Sequence, residues 1–191
     1  MTFFEKVLNR EELALLGENL AAAEKVVKVR GRFGISARHN SVEEMLQQIQ
    51  RTYNRLDNLQ TGLEEPSYTP AEEWITDNFI TIQNKAEELS ENLQKCISVR
   101  LPFVTEDGRR ISRAEVMARE LVSHTDGAVT EGAVTSFLEG YGRVSGTVTS
   151  ELYILPYLLQ REILRRIAKA CRMIEDEDRQ KLQAVKVFNV A

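Results

Sequence analysis

Histidine, cysteine and tryptophan are scarce in this chain of 191 residues, which holds two, two and one of them. His39 and His124 lie far apart, and neither has a cysteine or carboxylate at ligand spacing, so a metal centre is not indicated. Cys96 and Cys171 cannot make a disulfide framework. Both fall on or beside apolar stripes, where a thiol packs as a small hydrophobe, and a reducing compartment is the simplest reading. No apolar run approaches the ~20 residues a membrane-spanning helix needs. The opening Met1-Thr2-Phe3-Phe4-Glu5 lacks the basic start and long apolar stretch of a secretory leader. Gly140, Gly142 and Gly146 follow no strand signal, so a phosphate-cradling loop is not supported. A net charge of -4 argues against a dominant nucleic-acid surface.

What is present is helical periodicity. Hydrophobic residues make up 42% and charged residues 28%, the balance of a folded, solvated domain. Val7, Leu8, Leu13, Leu16, Leu20, Ala23 and Val27 predict a first amphipathic helix, in two pieces about Asn9. Gly31 to Gly34 reads as a turn, and Ser41-x-x-Glu44 as a capping box for a second helix burying Met45, Ile49, Tyr53 and Leu56. Gly62 and Pro66 mark its end. The strongest start signal is Thr69-Pro70-Ala71-Glu72. Thr69 can cap free amides, Pro70 has no N–H to leave unpaired, and Glu72 closes the box. Ile75, Phe79, Ile82, Ala86, Leu89, Leu93 and Cys96 then recur at three- and four-residue steps, a packing seam about six turns long.

Thr105-Glu106-Asp107-Gly108 reads as a turn, and Ser112-x-x-Glu115 caps a helix that ends at His124-Thr125-Asp126-Gly127. A short helix covers 131–141 with Val134, Phe137 and Leu138 inward. A long one begins near Thr149 and buries Leu152, Leu155, Leu159, Ile163, Ile167 and Cys171, with Pro156 expected to bend or restart it. Residues 178–188 read as a separate capping helix. The β-branched runs at 26–29 and 185–188 are the strand candidates, as a small terminal pairing. The sequence thus predicts an all-α bundle of about six or seven helices, divided as a hairpin over 1–65 and a bundle over 66–191, or one continuous domain.

Candidate chemistry is thin. A glycosidase needs two carboxylates facing one another across a sugar. Asp77, Asp126 and Glu151 are the candidates, and the plainer reading of each is an acid near a helix start. Arg161, Arg165, Arg166, Lys169 and Arg172 form a basic stretch that reads as a solvated face, or as the docking surface of a stand-alone interaction module. Trp74, Asp77, Asn78, His124, Asp126, Glu151 and Tyr153 sit at helix starts and ends, and are expected to form one polar and aromatic cluster of structural purpose. Catalytic residues, cofactors and metals are not expected.

The stretch Trp74-Ile75-Thr76-Asp77-Asn78-Phe79 resembles a segment of the very large cyclic β-1,2-glucan synthases. Leu101-Pro102, Arg119 to Gly127, Phe137-Leu138-x-x-Tyr141 and Glu151-Leu152-Tyr153-x-Leu155-Pro156 follow in the same order. The pattern departs at Tyr153, where the family commonly has tryptophan, and at Asp107 to Ile111. The resemblance implies a helical, non-catalytic region that precedes a transferase using UDP-glucose, with the catalytic domains of the same polypeptide as partners. It also implies a position in the cytoplasm or on the cytoplasmic side of the inner membrane. A small hydrolase using Glu151 or Asp77 is the third reading.

Overall fold

The computed structural model describes residues 7–23, 40–60 and 68–188. Among them the element order is α1 (Arg10–Ala23), α2 (Asn40–Gln60), α3 (Pro70–Lys95), β1 (Phe103–Glu106), β2 (Arg109–Ser112), α4 (Arg113–His124), α5 (Glu131–Val144) and α6 (Thr149–Phe188). The all-α expectation holds apart from one small hairpin. The chain divides into two compact units, each taking part of α3 and part of α6: one is Met1–His39 with Glu91–Ile163, the other Asn40–Ser90 with Leu164–Ala191.

The helix starts follow their caps. Thr69 and Glu72 close a reciprocal box, with the Thr69 amide donating to Glu72 Oε2 at 2.8 Å and the Glu72 amide to Thr69 Oγ1 at 3.4 Å. Ser112 and Glu115 do the same for α4. Asn9 caps α1: its side chain accepts from the Glu12 amide at 3.0 Å while Glu12 accepts from the Asn9 amide at 2.9 Å. The described part of that helix therefore begins at Arg10, and residues 7–9 are not helical. The turn at Gly31 to Gly34, the strand candidate at 26–29, the Ser41 cap side chain and the Gly62–Pro66 punctuation lie outside the described residues.

In the first unit α1 lies against α5. Leu13, Gly17 and Ala21 are buried on one side, and Ala133, Phe137, Gly140 and Tyr141 on the other. The approach is close because both helices present glycine. A methyl group at Gly140 would fall 1.8 Å from the Ala14 carbonyl oxygen, and one at Gly17 would fall 2.2 Å from that of Phe137. β1 and β2 pair antiparallel in the register Glu106↔Arg109 to Phe103↔Ser112. The expected turn is the tip of this hairpin, and its flanks are strands. Asp107 and Gly108 both have positive φ, +49° and +74°, the conformation a two-residue hairpin loop demands.

In the second unit, Ile75, Phe79, Ile82, Ala86 and Leu89 of α3 are buried as the seam predicts, alongside Val42, Met45, Ile49 and Leu56 of α2. Tyr53 is half-buried and stacks on Phe79, with ring centroids 4.1 Å apart. Two polar contacts join α2 to α6: Thr52 Oγ1 donates to Glu175 at 2.7 Å, and Arg55 pairs with Asp178.

α6 differs from expectation in three ways. It is one helix of 40 residues, so 178–188 is no separate element and 185–188 is helical rather than strand. Pro156 sits inside it without ending it. Pro156 and Leu152 are both exposed, so water can reach the Leu152 carbonyl that the ring leaves without its usual donor. The buried face is also phased differently. Glu151, Ile154, Leu155, Leu158 and Leu159 face inward, Leu152 is 45% exposed, and Ile163 and Ile167 are only half-buried.

Candidate functional site

The most enclosed polar arrangement lies in the first unit and joins the start of α4 to the start of α6. Arg113 is the first residue of α4, placed there by the Ser112 cap. Glu151 is the third residue of α6. Their side chains are 4% and 1% exposed. Arg113 Nε donates to Glu151 Oε1 at 2.7 Å and its Nη2 to Oε2, a two-point guanidinium–carboxylate pair. Both groups make further local contacts. Arg113 also donates to Ser145 Oγ at 3.0 Å and to the Gly146 carbonyl at 2.9 Å, and it lies 5.4 Å from the Tyr141 ring centroid. Glu151 Oε2 accepts the Val148 amide at 2.9 Å, the bond an acid three residues into a helix makes to its cap.

A second pair lies further along the same two helices. Arg161 Nη2 donates to Glu115 Oε1 at 2.7 Å, and Glu162 Oε1 is 3.5 Å from the same nitrogen. Burial pushes the Glu115 carboxyl up, but the Arg161 charge and hydrogen bond, with the Ser112 hydroxyl and amide, outweigh it and hold the group below its ordinary range. Arg161 is 4% exposed, so it is no part of the basic surface expected of it, whereas Arg165, Arg166, Lys169 and Arg172 are exposed. The hairpin is tied to α4 by a third contact. Arg119 grips Glu106 at two points, 2.9 and 2.7 Å, and that hydrogen bonding lowers the Glu106 pKa and raises that of Arg119.

The seven residues expected to cluster are distributed as follows. Trp74, Asp77 and Asn78 belong to the second unit, on α3. Trp74 is 48% exposed, and Asn78 Nδ2 donates to the Trp74 carbonyl one turn back at 2.8 Å. His124, Asp126, Glu151 and Tyr153 belong to the first unit. His124 Nδ1 lies 3.0 Å from the Glu120 carbonyl, and the His124 carbonyl accepts the Leu8 amide at 2.9 Å. Asp126 has φ +50° in the turn that closes α4, where the Gly127 amide reaches back to the Val122 carbonyl at 3.0 Å. Tyr153 is 58% exposed and meets Tyr157 edge-on, with centroids 6.3 Å apart. Burial raises the pKa of the Cys96 thiol beside it. Glu151 is gathered with Arg113, Ser145, Gly146 and Tyr141, none of which the sequence singled out as its partner. Arg113 carries no local signal beyond its place after a capping serine.

Among the described residues, no group of three histidine, cysteine, aspartate or glutamate side chains could hold a metal ion. No described helix is long and apolar enough to cross a membrane.

No family model matches the chain. It is similar to the cyclic beta-(1,2)-glucan synthase NdvB of Rhizobium meliloti (strain 1021), at 30% identity over 139 residues. That similarity covers 71% of this chain and 5% of the relative's length. The relationship is distant and partial, and it agrees with the resemblance carried by the Trp74 to Phe79 stretch and the motifs that follow it.

Proposed function

We propose that this chain is a helical, non-catalytic region of a cyclic β-1,2-glucan synthase-like glycosyltransferase, and that it organises or contacts the catalytic domains of that enzyme on the cytoplasmic side. The observation that carries the reading is the likeness to NdvB over 71% of the chain. The side-chain chemistry supports it. A catalytic carboxylate must reach its substrate, whereas Glu151 is 1% exposed, with Arg113 and the Val148 amide on its two oxygens. Closed ion pairs of this kind hold helices in place.

The test uses UDP-glucose as donor. The isolated chain is expected to transfer no glucose. Deleting the matching region from a full-length synthase is expected to lower β-1,2-glucan synthesis or change product size. Glucose transfer by the chain alone, or a deletion that changes neither rate nor product, contradicts the reading.

A further inference from the structure

We propose that the exposed stripe of α3 carrying Trp74, Asp77, Asn78 and Thr81 is a binding platform for a β-glucan chain. The proposal rests on the reading above for its ligand class, and on the stripe itself for its site. Trp74 is the single tryptophan of the chain. Large aromatic side chains are mostly buried on average, yet this one is 48% exposed in the middle of an ordered turn. Asp77, Asn78 and Thr81 follow it at three, four and seven positions, so all four side chains share a face about 120° round the helix from the Ile75–Phe79 seam. Asp77 and Thr81 are exposed and Asn78 is half-buried.

This pattern has the two elements a pyranose needs. An indole face carries negative charge density and attracts the weakly positive axial C–H groups that line both faces of a β-linked glucose. A carboxylate or amide one helical turn away, about 5–6 Å, accepts hydrogen bonds from adjacent ring hydroxyls while the ring lies on the indole. Asn78 Nδ2 donates to the Trp74 backbone carbonyl, which restrains the amide and leaves Oδ1 as an acceptor. From Trp74 to Thr81 the helix rises about 10 Å, the length of roughly two glucose units. In a β-1,2-linked chain the 3- and 4-hydroxyls are free and adjacent, a pair one carboxylate can hold. In a β-1,3-linked chain the internal units present no adjacent free pair on the ring.

The lone tryptophan makes the test direct. Its fluorescence is titrated with linear β-1,2-gluco-oligosaccharides, and with β-1,3-gluco-oligosaccharides of equal length. The expected result is a saturable change for the β-1,2 series and a much weaker one for the β-1,3 series. Asp77→Ala is expected to weaken the β-1,2 titration by roughly tenfold. Trp74→Ala, followed by calorimetry because it removes the reporter, is expected to abolish binding while leaving the circular dichroism spectrum unchanged. The absence of a saturable change up to about 10 mM sugar overturns the proposal. So does equal binding of both series, or binding that survives Trp74→Ala. These outcomes are independent of the deletion experiment above, so the platform can fail while the parent reading stands.

Discussion

Arg113 and Glu151, 38 positions apart, meet as a two-point ion pair in the interior of the first unit. Removing either partner leaves the other charged and buried. Arg113→Ala and Glu151→Ala are each expected to destabilise the fold by about 3–5 kcal/mol, whereas Arg113→Met with Glu151→Leu is expected to recover most of that loss. Urea unfolding of the three variants checks it, and a double variant no more stable than the singles would contradict it.

The α1–α5 crossing gives a paired test within one helix. Gly140→Ala drives a methyl group into the Ala14 backbone, which cannot rotate away, and is expected to destabilise by about 1–3 kcal/mol or more. Gly142→Ala, two residues on, meets nothing within 4 Å and removes a poor helix former, so a gain of about 0.5–1 kcal/mol is expected. Thermal denaturation of the two side by side reads both signs.

Acid stability is expected to depend on Glu115. Its pKa is lowered in the folded state, so the folded protein binds a proton there less readily than the unfolded chain does. The resulting stabilisation is fully present above the ordinary glutamate value, and is lost as pH falls through that value toward the folded one. Glu115→Gln should therefore unfold more readily near neutrality and show a flatter decline in melting temperature between about pH 5 and pH 3. A variant whose acid limb parallels the parent's would show that Glu115 does not carry this dependence.

Both described thiols are enclosed. Cys171 is fully buried, and burial pushes its pKa up to about 11. Cys96 is 1% exposed and shifted in the same direction. Thiolate is the reacting form, so neither cysteine should titrate with an aromatic disulfide reagent at pH 8 until denaturant is added. One rapid equivalent in the native protein would contradict this.

Much of the architecture was legible because its signals are local. The caps at Thr69 and Ser112 rest on bonds spanning three residues, and the α3 seam repeats without a break from Ile75 to Cys96. The hairpin was readable in principle: Asp107-Gly108 between Phe103-Val104 and Ile111 is a strong two-residue loop signal, outweighed by the helical patterns on either side. The apolar pattern points to the wrong phase for α6 because Glu151 occupies an inward position. Counting only apolar residues moves the buried stripe to Leu152, which faces out. The partner of Glu151 lies on another helix with no spacing rule to link them, and only the folded chain brings Arg113 to it.

The central claim is that Glu151 and its surroundings hold helices together and do not carry out chemistry. The measurement is β-1,2-glucan synthesis from UDP-glucose by a full-length synthase carrying this region, with the Arg113→Met and Glu151→Leu replacements made together. Activity per folded molecule is predicted to stay within a few-fold of the parent. A loss of about a thousandfold or more in a folded variant would mark Glu151 as a catalytic carboxylate and overturn the account.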